Sequence, residues 1–323
     1  MKRIVSIFLF SVCAFSLWAK KQQPQQLSIE REQQFTYYFY AAKQSLDREQ
    51  YSEALMQLLF CEQLNPQDAT TKDYLGVIYN ALKQPEKAFE YFRQAYLLDP
   101  RDHWFHYALS LYKNDDKQSR KELLAVMEQA TRLNPKDASV WDYMRQAALV
   151  NGKYEQAIQA QDRIDQLQGY NGMSAINRYR IYVIQGKLKK AIQAIDDYLA
   201  LYPDDLQFLF FRAELLTATN APTAQLLENY EHILRIDPAN LMILNNYAYL
   251  LATTGGNLRK AEQMSQQTIR EQPENATFLD TYAWILHLQG QDSLAAFYIR
   301  KAMQNAAPDE RTEIEAHYHV IIK

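Results

Sequence analysis

Seven prolines, Pro66, Pro100, Pro135, Pro203, Pro238, Pro273 and Pro308, mark a beat of 34 or 35 residues, with Gly169 on the one vacant rung. A second ladder, Ala54, Ala88, Ala157, Ala191, Ala261 and Ala295, runs 12 or 13 residues ahead of the first. Two phase-locked ladders over seven periods describe a tandem array of small units, so each residue has to be read by its place in the unit.

Within a period the apolar residues recur at three- and four-residue spacing, a turn signal interrupts them, and a second helical run ends in Asp-Pro, Asn-Pro or a similar pair. The unit ending at Pro100 has Leu75-Gly76 and Tyr79 in its first run, a turn at Lys83 to Pro85, then Ala88, Phe92 and Ala95. Small residues let two antiparallel helices approach closely, and the proline stops the second helix. A hairpin of this size cannot bury its own apolar face, so the hairpins must stack. With 8 Gly against 23 Tyr, the composition argues against sandwiches, barrels and glycine-rich nucleotide folds. An all-α chain is expected.

The hairpin has Trp or Leu at its fourth place, Leu-Gly or Tyr-Ala at the seventh and eighth, and Tyr near the eleventh. Ala at the twentieth, a Phe-like residue at the twenty-fourth and Pro at the thirty-second complete a pattern that resembles the tetratricopeptide repeat. Asn245-Asn246-Tyr247-Ala248-Tyr249 and Phe278 to Trp284 are the segments most similar to repeats of exported bacterial envelope proteins of that family. The resemblance implies a right-handed superhelical solenoid of about eight helix hairpins over residues 33–308, closed by a capping helix at 309–323. Repeat three departs from the pattern, with an extra residue near Asn114 to Lys117 and Leu123 where Ala is usual; repeat six turns at Asn220-Ala221-Pro222. At residues 168–172, Gln-Gly-Tyr-Asn-Gly replaces the proline junction. Two readings stand there, a bend or hinge between residues 33–168 and 173–323, and a plain inter-repeat turn.

Lys2 and Arg3 precede an uncharged run from Ile4 to Ala19, which has the form of a secretory signal peptide over residues 1–19, followed by a polar linker at 20–32. Cleavage is expected after Ala19, with Ser16 as the alternative, and places the protein in the periplasm or cell envelope. The competing reading keeps the segment as an inner-membrane anchor, although its roughly 16 apolar residues fall short of the ~20 that cross a bilayer. Val12 before Cys13 argues against a lipid anchor. The formal net charge is -3, and removal of residues 1–19 leaves 33 basic against 38 acidic residues with Cys61 as the single thiol, at a packing position.

No GxGxxG, GxxxxGK[ST], GxSxG, HExxH or CxxC occurs in the chain. No cofactor and no enzymatic activity are therefore expected, and without a basic stripe no nucleic acid. His103 and His106 share a helix face beside Asp102, but two ligands without a third are weak grounds for a metal site. His317 and His319 are two apart and point to different sides of a helix. Asn275-Ala276-Thr277 matches a glycosylation sequon at a repeat boundary, and Asp196-Asp197 and Asp204-Asp205 are expected at helix ends.

Stacked hairpins line a concave face with their first helices. Its candidate protein-binding residues are Phe39, Lys43, Asp73, Trp104, Tyr107, Asp142, Arg180, Phe210, Asn245, Tyr249, Asp280 and Trp284. Aromatic anchors in a polar surround suit a polypeptide segment. The family's carboxylate clamp is not matched, because Phe39, Lys43, Asp73 and Val77 stand where Lys and Asn are needed, so an acidic tail is not implied. The aromatic run Phe35 to Tyr40 is either a further partner surface or an N-terminal cap. The function expected is a non-enzymatic interaction scaffold or adaptor for a protein or peptide; the alternative is a membrane-anchored accessory factor of envelope biogenesis.

Overall fold

A computed structural model describes residues 27–114 and 116–322. The expected signal peptide, Cys13 and most of the polar linker lie outside the described residues. The chain divides into two compact units, Met1–Ala160 and Gln161–Lys323.

The first unit contains the hairpins α1 (Ile29–Asp47) with α2 (Tyr51–Leu64), α3 (Ala69–Ala81) with α4 (Pro85–Leu98), and α5 (Trp104–Asn114) with α6 (Lys117–Leu133). α7 (Ala138–Val150) and α8 (Tyr154–Gln168) form the fourth pair, and the division between units falls inside α8. The second unit has α9 (Gly172–Ile184) with α10 (Leu188–Leu199), α11 (Leu206–Ala218) with α12 (Thr223–Ile236), α13 (Leu241–Thr253) with α14 (Leu258–Glu271), and α15 (Ala276–Leu288) with α16 (Asp292–Asn305). α17 (Arg311–Ile321) follows alone. Among the described residues these are all helices, eight hairpins and one single helix, as the 34-residue beat predicts. α1 starts at Ile29, four residues ahead of the expected boundary, because Ser28 accepts a hydrogen bond from the Arg31 amide and so supplies the cap.

The proline ladder sets the phase through helix capping. Asp68, Asp137, Asp205, Asn240 and Asn275 each stand two residues after a rung, and each accepts from a backbone amide of the first turn that follows. Asn171 does the same two residues after Gly169 and is reinforced by Ser174 in a capping box. The Asn275 sequon and the second residue of the Asp204-Asp205 pair are thus explained as caps. Asp196 and Asp197 are not caps: Asp196 accepts from Arg212 Nε at 2.7 Å and Asp197 from Gln193 at 2.8 Å. Among the described residues, the turns of seven of the eight hairpins carry one left-handed residue each, at Glu49, Lys83, Gly152, Gly186, Asn220, Gly255 and Gly290.

The alanine ladder is the closest approach of the paired helices. Ala54, Ala157, Ala191, Ala261 and Ala295 are fully buried and Ala88 nearly so. Opposite Ala88's helix, a Cβ on Gly76 would lie 2.5 Å from the Phe92 ring, so only glycine lets α3 and α4 pack as they do. Around these crossings Leu58, Leu75 and Ile78 form one core cluster and Tyr107, Met127 and Val140 another. Ile195 with Phe208, Ile233 with Ile243, and Leu279 with Ile299 are the corresponding cores of the second unit. Each such fully buried aliphatic chain contributes about 1.5–3 kcal/mol. Cys61 is buried and unpaired as expected; desolvation, aided by the Asp68 charge, pushes its thiol up to about 11, which keeps it protonated and unreactive at neutral pH.

Gly76→Ala is expected to destabilise the α3–α4 hairpin by about 1–3 kcal/mol, since the Phe92 ring must leave its position. Hydrogen exchange checks this locally: protection falls in α3 and α4, while α13 to α16 keep theirs.

Candidate functional site

The first helix of each hairpin presents one face that packing against its partner does not use. In the first unit Phe39 is half-buried, stacked on Phe35 with centroids 5.7 Å apart and edge-on to Tyr74 at 5.6 Å. Lys43 is exposed one turn further on. Asp73 on α3 places both carboxylate oxygens 2.9 Å from Nδ1 of His106 on α5, and the His106 ring stacks on Phe92 at 5.0 Å. One turn earlier Thr70 Oγ1 lies 3.5 Å from His103 Nε2. The two histidines are therefore engaged with α3 rather than free to converge, and among the described residues no group of three or more His, Cys, Asp and Glu could hold a metal ion. Asp142 accepts from Arg145 at 2.5 Å and Gln146 at 2.8 Å, both on its own helix.

Trp104 and Tyr107 are a correction to the expected face. Trp104 is 8% exposed and Tyr107 1% exposed, the latter stacked on Tyr96 at 5.3 Å with its hydroxyl donating to Glu122. The cause is register. Ala108 fills the helix-crossing position eight residues after Pro100, whereas Gly76, Ala248 and Ala283 fill it ten residues after their prolines, and all four are buried. The buried stripe of α5 thus comes two residues early and turns Trp104 and Tyr107 inward.

In the second unit Arg180 is exposed on α9, and Phe210 is half-buried on α11, packed against the same core cluster as Trp284. The remaining four do converge. Tyr249 on α13 and Asp280 and Trp284 on α15 surround His317 of α17, and Asn245 on α13 lines a cavity with Tyr249 and Asp280. Nδ1 of His317 is 2.8 and 3.0 Å from the two Asp280 oxygens, Nε2 is 3.5 Å from the Tyr249 hydroxyl, and the ring stacks on Trp284 at 4.4 Å. Asp280 is 5% exposed and Asn245 3%. Two buried polar atoms of this group, Asn245 Oδ1 and Trp284 Nε1, have no hydrogen-bond partner. Fully packed repeats leave few such atoms, because an unmade bond of this kind costs about 1–3 kcal/mol.

Burial opposes a charge on His317, but the hydrogen bond and charge of Asp280, with Glu313 nearby, outweigh it and raise the imidazole above its ordinary value. The Tyr249 phenol is raised as well, by burial and then by the Glu313 and Asp280 charges, and stays protonated. His317 and Glu313 were not among the residues that the first-helix pattern singles out. Their signal was available only in part: Asp73–His106 and Asp280–His317 are both acid–imidazole links between successive first helices, but one is 33 residues apart and the other 37. A strict 34-residue beat pairs neither.

A histidine raised in the folded state stabilises most when protonated. That stabilisation is fully present below the ordinary histidine value of about 6.5 and fades as pH rises through the raised value. The melting-temperature difference between the native protein and His317→Gln is therefore expected to shrink as pH rises from about 5 to about 8.5. A pH-independent difference would show that the Asp280–His317 pair carries no charge.

The sequence has no match among curated proteins. Two family profiles described as tetratricopeptide repeat match it, over residues 75–102 and 180–240. Among solved structures, that of Naa15/Naa10 bound to HypK-THB is 15% identical with a TM-score of 0.63 over 88% of this chain. This chain spans 46% of that one. The C-terminal part of a repeat protein from Cytophaga hutchinsonii is 16% identical with a TM-score of 0.52, covering 75% of this chain and 98% of its own. At such identities the likeness concerns the fold alone. Helix pairs on a beat of 34 or 35 residues, small residues at most of their crossings and two matching family profiles lead to one assignment: the chain carries tetratricopeptide repeats.

Proposed function

We propose that this protein is a non-enzymatic scaffold or adaptor, exported to the periplasm or cell envelope, that binds a polypeptide segment along the first-helix faces of its repeats. The observation that carries this reading is the group on α13 and α15 beside a recess under α17, where aromatic rings lie next to buried polar atoms without partners. Large rigid side chains beside unpaired polar groups supply contact area and hydrogen bonds at low entropic cost. Export is supported by the charged start, short apolar run and small residues of segment 1–19. Among the described residues no helix is long and apolar enough to cross a membrane.

Two measurements test it. Photo-crosslinking residues at Lys43 and Arg180, exposed on first helices, are expected to give discrete protein adducts in cells, while the same residue at Leu97 and Phe297, exposed on second helices, gives none. Adducts from Leu97 and Phe297 alone would place the binding face elsewhere. N-terminal sequencing of protein recovered from cells is expected to begin at Lys20; an intact residue 1–19 segment would instead favour the membrane-anchored accessory factor of envelope biogenesis.

A further inference from the structure

Between α13, α15 and α17 lies a cavity of about 200 Å³. Its walls include Asn245 and Tyr249 from α13, Asp280 from α15, Glu313 from α17 and Glu310 just ahead of that helix, and no lysine or arginine is among the residues lining it. Three carboxylates therefore face a space with one compensating group, His317, which sits behind Asp280 rather than in the cavity wall. Glu310 is held in place: its two oxygens accept from the Thr277 hydroxyl and the Ala307 amide, both at 3.0 Å. Glu313 is exposed at the rim.

A set of acidic residues alone would be a solvated surface. Here Asn245, 3% exposed, is one of the residues around the same cavity, and its amide oxygen has no protein donor. An unpaired acceptor among carboxylates calls for a ligand rich in donors. The carboxylates do not approach one another closely enough to form a metal-ion site. Their spread around the cavity suits an organic cation instead, whose several N–H groups reach different acceptors while its stem lies against the Tyr249 ring. An anionic group would meet uncompensated repulsion.

We infer that this cavity receives a basic side chain, lysine or arginine, of the polypeptide bound by the scaffold. The inference rests on the scaffold reading and gives it a chemical preference: a partner segment with a cationic residue at the C-terminal end of the array.

The test is an NMR titration of the ¹⁵N-labelled protein, following the side-chain amide of Asn245, with Nα-acetyl-arginine amide and Nα-acetyl-lysine amide as probes and Nα-acetyl-citrulline amide as the neutral control. At least one cation is expected to shift that signal saturably, citrulline to leave it in place, and Glu313→Gln to weaken the binding by about fivefold, as the loss of one partly exposed charge partner does. Equal shifts with citrulline, or no saturable shift with either cation, would overturn the assignment. Asn245→Asp, followed through the backbone amide of residue 245, is the second variant: its added negative charge is expected to tighten cation binding, and unchanged or weaker binding in a folded variant counts against it. The crosslinking at Lys43 and Arg180 separates the two readings. If adducts persist there while the titration fails, only the cavity's role is lost; if both fail, the scaffold falls as well.

Discussion

The close crossing of two helices through small residues is the constraint from which the rest of this structure follows. A 13- or 14-residue helix pair that touches through alanine and glycine has a thin seam and two broad apolar flanks. Gly76 shows how tight the seam is, since one added carbon would overlap the Phe92 ring. The apolar flanks of a seam are buried against neighbouring hairpins as well, and the core forms several clusters. That is why Leu58, Met127, Ile195, Ile233 and Ile299 are fully buried in separate clusters.

The same geometry decides where function can reside. The seams are committed to packing, while part of each first-helix face is left to other side chains. Most groups on that face are nonetheless quietly satisfied. His106 is taken by Asp73, Asp142 by Arg145 and Gln146, and Arg212 by Asp196. Against that background the unpaired atoms of Asn245 and Trp284 stand out, and they occur beside the acid–imidazole pair that fastens α17. The terminal helix thus does more than cover an apolar end. It supplies Glu313 and His317, with Glu310 just ahead of it, and these convert a plain first-helix face into an acidic recess.

Most of the architecture was legible in the sequence because repetition averages out local ambiguity. One Pro-x-Asp says little, but six prolines followed two residues later by Asp or Asn, five of which cap a helix, say where the first helices start. The reading weakened where the beat did. Repeat three begins its helix late and has Leu123 at the small-residue place, and there the expected face rotated, burying Trp104 and Tyr107. A residue's side on a helix turns by about 100° per position, so a shift of two positions is enough to exchange surface for core.

By itself the sequence determined the helix pairs, their turns, their caps and the tight seams, because each depends on residues near one another in the chain. It also determined that no familiar catalytic or nucleotide-binding motif is present. Only the tertiary structure decided which first-helix residues are free, since that depends on the neighbouring repeat and on small slips of register that a periodic reading cannot carry. Above all it brought His317 to Asp280, 37 residues away, and to Tyr249, 68 residues away. The physical reason is that a helix face acquires its chemistry from what packs across it, and α17 crosses two first helices whose separation in sequence gives no sign of their meeting.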